Sequence, residues 1–170
     1  MEQSMPSDRR KPDRATPPFA AGLALAAVGW LIPGLAFALC GRLRRGLVHF
    51  LLVATTFAAG IALHGSVVWP IWSTRAPEFN LINNFTFIVQ IGAGLPALAS
   101  FWATRAGESF PGAWRWLAGS PEHPHYELGS YFLIVAGALN YFAVRNFYDR
   151  IVNPDSPFVD QEKSAETVEA

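Results

Sequence analysis

The chain has 170 residues, 51% hydrophobic and 14% aromatic but only 15% charged, where soluble domains carry about a quarter. Thirteen Lys and Arg balance thirteen Asp and Glu, so no basic field invites nucleic acid. The one cysteine, Cys40, excludes an intrachain disulfide. Charge crowds toward the ends and leaves four uncharged tracts, Ala15–Gly41, Gly46–Thr74, Phe79–Thr104 and Leu128–Val144. Helices of a soluble domain need charged faces, and these tracts have none. The pattern predicts an all-α integral membrane four-helix bundle with disordered polar termini, its spans at about 19–40, 46–64, 81–103 and 128–147.

Residues 1–18 are polar and proline-rich, which predicts a disordered tail. The apolar run from Phe19 to Cys40 is longer than the 7–15 residues of a signal-peptide core, so it reads as a retained span. Gly22, Ala26, Gly29 and Pro33 recur at helical spacing and form a shallow stripe for a neighbouring helix. Pro33 has no N–H for the carbonyl of Gly29, so a kink is expected beside Gly34. The turn Gly41-Arg-Leu-Arg-Arg-Gly46 is short enough to demand an antiparallel hairpin, and it carries Arg42 and Arg45.

In span two, His49, Val53, Thr56, Gly60 and His64 share one stripe. The two histidines lie about 22 Å apart along a helix and cannot share an ion, so they read as interfacial groups that snorkel or bond locally. Trp69, Pro70 and Trp72 mark an interfacial belt, and Asn80, Asn83 and Asn84 lead into span three. Gln90 is central there and should bond another helix, with the equally central Asn140 as its expected partner. Pro96 should kink this span beneath Gly92.

The stretch 105–127 holds Phe110, Trp114, Trp116 and Leu117, an amphipathic piece suited to headgroups. Glu122, His123, His125 and Glu127 follow. His123, His125 and Glu127 are the weak candidates for a metal site, without the i, i+4 pair that a helix would supply; no cofactor and no catalytic residue is indicated. In span four, Asp149 should pair with Arg145 at i+4. Residues 151–170 are acidic and polar, a second disordered tail.

With four spans, both tails and the 65–80 loop share a side holding eight basic residues against five, which places both termini in the cytoplasm. Gly29-Trp-Leu-Ile-Pro-Gly-Leu35 and Gly41–Gly46, with Tyr126–Gly129 and Leu139–Asp149, resemble an uncharacterised bacterial multi-pass membrane family, DUF6677. The first hairpin also resembles the TM2 domain. In the family a further glycine and a polar aromatic typically follow Pro33-Gly34, whereas Ala36 and Phe37 stand here. The resemblance implies a bacterial inner-membrane location and lends no catalytic residue.

Three functions follow. The first is a non-enzymatic bundle in the lipid bilayer that packs with itself or a membrane partner. Pro33, Gly34, Gly41, Arg42, Arg45, Gly46, Gln90, Pro96, Asn140 and Asp149 are its structural and interaction residues. The second is a transporter or channel component with a polar path near Gln90 and Asn140. The third is a membrane-embedded enzyme.

Overall fold

The computed structural model describes residues 19–70, 80–106 and 112–151. The expected first tail, residues 152–170 of the second, Trp72, the loop tip at Arg75 and Phe110 lie outside them. Every regular element in the described residues is helical: α1 (Phe19–Leu31), α2 (Leu35–Leu39), α3 (Leu43–Ala62), α4 (Leu81–Ile91), α5 (Leu95–Ala106), a 3-10 helix (Gly112–Ala118) and α6 (Tyr126–Ile151).

Two of these helices, α3 and most of α6, are long and apolar enough to cross a membrane. They pack antiparallel along their length, His49 beside Asn140 and Gly60 beside Gly129 and Leu133. A Cβ on Gly60 would lie 2.8 Å from the Gly129 carbonyl oxygen, so the backbones are in direct contact. Val53, Phe57 and Ile61 of α3 meet Leu133 and Ala136 of α6 in the core. We call the end where α3 starts and α6 finishes the arginine end, after Arg42, Arg44, Arg45, Arg145 and Arg150.

The continuous helices expected over 19–40 and 81–103 are each two helices. At the first break Pro33 withholds its N–H and Gly34 takes φ +82°, a conformation that side chains disfavour. The chain then folds back. A Cβ on Gly29 would sit 2.8 Å from that of Ala36, whereas a continuous helix separates positions seven apart by about 10 Å. Gly34 lands on Gly46 of α3, close enough for its absent Cβ to overlap the Gly46 carbonyl. That contact explains small residues on both sides of the basic turn.

The second break falls at 92–94, where Gly94 has φ +76°. Phe87 and Phe101 pack across it with ring centroids 5.4 Å apart, although an unbroken helix would set them about 21 Å apart. Pro96 does not kink a span. It is the second residue of α5, where a helix has no use for its N–H.

Each pair, α1–α2 and α4–α5, is thus a helical hairpin. The first packs against the arginine-end halves of α3 and α6, with Gly29 on Val144 and Phe37 on Phe147. The second packs toward the far end, where Asn83 donates to the Trp69 carbonyl, Trp69 stacks on Phe101, and Arg105 lies over the Trp69 ring. The two tips meet midway: a Cβ on Gly94 would lie 2.3 Å from the carbonyl oxygen of Trp30.

Candidate functional site

Asn140, fully buried halfway along α6, is the hub of this junction. Its Nδ2 donates to the carbonyl of Trp30 on one hairpin and to that of Gly92 on the other, both at 2.9 Å. Both carbonyls lost their helical partners at the breaks. The N–H for Gly92 would come four residues on, where Pro96 has none. The N–H for Trp30 would come from Gly34, which has left the helical conformation. One amide therefore completes two interrupted helices.

With both amide hydrogens engaged, Oδ1 must be the acceptor toward His49 Nε2, 3.1 Å away. Nε2 then carries the hydrogen of this bond. His49 is therefore turned inward and half-buried rather than snorkelling. The signal was the stripe it shares with Val53 and Gly60, both of which are buried.

Gln90 does not pair with Asn140. It too is fully buried, but its Oε1 accepts from the Val68 N–H at 2.9 Å and its Nε2 donates to the carbonyls of Ser66 and Ser130 at 3.4 and 3.3 Å. Residues 65–70 belong to no helix or strand and begin against α6, Gly65 on Gly129. Buried backbone of that kind must find partners, and Gln90 supplies them. Ser66 and Tyr126 hydroxyls bond at 3.0 Å. Ser130 Oγ is buried with no hydrogen-bond partner among the described residues. The two central amides thus do one kind of work, each mending irregular backbone, on opposite sides of the junction.

A cleft of about 330 Å³ opens beside the hub toward the arginine end. Arg45, His49, Asn146 and Arg150 line it over Phe37 and Phe142. Beneath it, His49, Asn140, Gly34 and Val144 bound a space of about 10 Å³, close to the volume that admits one water. Phe37 walls both spaces, edge-on to His49 and to Phe147. Arg42 and Gly41 form the adjoining turn, whose Arg42 N–H bonds the Phe37 carbonyl at 2.9 Å. Arg145 Nε and Asp149 pair at 2.9 Å on the outer face of α6, the i+4 pair expected from sequence.

At the far end His123 stacks on His64, ring centroids 4.0 Å apart, and His125 lies 5.5 Å from His123. His64 holds φ +61°, and its carbonyl accepts from the Ser120 N–H. The His123 pKa is lowered by loss of hydration, then by the charges of His64 and His125. No three His, Cys, Asp or Glu among the described residues are arranged to hold a metal, so His123, His125 and Glu127 do not converge on one. Leu117 is buried while Trp114 and Trp116 are exposed, which gives the 3-10 helix its two-sided character.

The chain matches no curated protein and no solved structure. A protein-family model does match, over residues 24–156. On that match the chain belongs to the family of unknown function DUF6677.

Proposed function

We propose that this is a membrane-embedded transport component, built from two spanning helices and two re-entrant hairpins that enter from opposite faces and meet at mid-depth. The observation that carries the reading is the Asn140 knot, joined to the cleft through His49. Helices interrupted in corresponding positions of two halves, with their ends facing one another at the midplane, are the geometry of solute and ion sites in transporters.

Several features support the membrane setting. Only 28% of the residues in each long apolar stretch are buried within the protein, whereas the core helix of a soluble domain is mostly covered. Leu47, Val48, Leu51 and Leu52 of α3 and Tyr141 and Phe142 of α6 face outward. Non-helical backbone at membrane depth is tolerated where protein covers it, and both hairpin tips are so covered. Re-entrant hairpins also sharpen the charge asymmetry. Ten of the thirteen Lys and Arg then belong to the arginine side, leaving Arg75, Arg105 and Arg115 opposite. That imbalance favours a cytoplasmic arginine side, with both termini, in a bacterial plasma membrane.

A bundle that packs with itself or a partner is the competing reading. The outward apolar side chains of the described residues are satisfied by lipid alone, so they do not require a partner. An enzyme reading finds no carboxylate, thiol or hydroxyl among the cleft residues. Thiol access tests the proposal. In a Cys40→Ser background, single cysteines at Ala143 and Val144 should react with a membrane-impermeant reagent from the arginine side only. Inert cysteines at 143 and 144 from both sides would show that no water path reaches the junction and would overturn the transport reading.

A further inference from the structure

We infer that the cleft seats an anionic phospholipid of the leaflet at the arginine end, its phosphate on Arg45 and Asn146 and an acyl chain along Phe142. The inference shares the cleft with the transport reading but does not require conduction.

The charge argument comes first. The polar lining is Arg45, His49, Asn146 and Arg150, and among the described residues no carboxylate lines the cleft. Arg150 already has a contact of its own, so Arg45 carries the assignment. The helix itself does not explain Arg45. The first turn of α3 has no acidic residue, and Arg44 and Arg45 stand at the positive end of its dipole, the unfavourable place for a cation. The neighbouring Asp149 is committed to Arg145. A cationic cleft between helices at the cytoplasmic face is the arrangement that takes anionic headgroups.

The polarity gradient chooses the lipid over a free ion. Phe142, Asn146 and Arg150 follow at four-residue intervals on α6, covering about 12 Å of depth. The Phe142 side is 69% exposed and Asn146 and Arg150 lie progressively nearer the surface. On α3 the order from depth is His49, then Arg45. Both stripes pass from an aromatic floor, Phe142 and His49, to guanidinium at the mouth, matching chain, glycerol region and phosphate in turn. Inorganic phosphate would use the mouth alone.

The test uses the full chain in detergent, with bound lipid read by native mass spectrometry and stability by thermal unfolding. Phosphatidylglycerol should be retained and should raise the midpoint, and phosphatidylcholine should do so far less. Arg45→Gln should weaken phosphatidylglycerol retention about five-fold, the worth of one basic group near a membrane surface. Arg45→Lys should keep most of it, and Arg115→Gln at the far end should leave it unchanged. Equal retention of both lipids, or an unchanged Arg45→Gln, overturns the site. Inorganic phosphate that raises the midpoint as phosphatidylglycerol does, and loses that effect in Arg45→Gln, overturns the lipid assignment in favour of a soluble phosphate. None of these readouts depends on flux or on thiol access, so the two readings fail separately.

Discussion

Replacing Asn140 by Leu, which fits the same volume without an amide, should unlock the junction. The change strips the Trp30 and Gly92 carbonyls of the donor that each holds at 2.9 Å and leaves His49 Nε2 facing a methyl group. Abandoning a buried acceptor costs about 1–3 kcal/mol, so two carbonyls give roughly 2–6. Interhelical hydrogen bonds in a bilayer average only ~0.6 kcal/mol, which for three bonds gives about 2. Asn140 is fully enclosed by protein and its acceptors are immobile at hairpin tips, so we expect the overlap of the two ranges or above, about 2–4 kcal/mol. Unfolding of the purified protein in mixed micelles by added denaturing detergent measures this. Asn140→Asp should also be costly, since it keeps the size and loses the donor. A loss below ~1 kcal/mol for Asn140→Leu would refute the claim that this amide joins the hairpins.

Gly94→Ala should cost more than Gly41→Ala in the same assay. Both residues have φ +76° and pay roughly 1–2 kcal/mol of left-handed strain, but a Cβ at 94 also strikes the Trp30 and Leu31 carbonyls while one at 41 meets nothing within 4 Å; equal losses would contradict the meeting of the tips. At the far end, the His123 pKa lies below 6.5 when folded, so the unfolded chain binds more protons in that window and stability falls as pH drops below 6.5. His123→Gln should flatten that decline, followed as unfolding midpoint against pH. Asp149→Asn should cost under ~0.5 kcal/mol, because the Arg145 side chain is 57% exposed and such pairs contribute little. Epitope tags at either end of the chain should be accessible only from the cytoplasm; opposite sides for the two tags would require an odd number of crossings and overturn the two-span topology.

Much of this was visible in the residues. Absence of charge marks the four apolar tracts, and Pro33-Gly34 marks the first disturbance, whereas the second is expected as a kink from Pro96 and falls instead at Gly92–Gly94. What the sequence could not say is whether an interrupted helix bends or doubles back. Both use the same residues, and the choice is made by contacts between distant segments, Gly34 on Gly46 and Gly94 on Trp30. Counting the whole tract as one span concealed a warning, since the proline and glycine leave pieces of 13 and 5 residues, about 20 and 8 Å. Asn140 and Gln90 were rightly read as inward-facing. Pairing them with each other followed from equal depth, but broken backbone offers stronger demand than a second side chain does. Reading His49 as interfacial ignored the company it keeps on its own stripe.

The Asn140 knot also sets an order on biogenesis. The first hairpin leaves the ribosome with an orphaned carbonyl at Trp30, and its remedy is encoded 110 residues later. Until the last helix arrives, the amino-terminal half is an unfinished object that must be sheltered, by the insertion machinery or by lipid water defects. Nascent chains halted short of position 140 should be degraded rapidly, while those extended through Ile151 should persist.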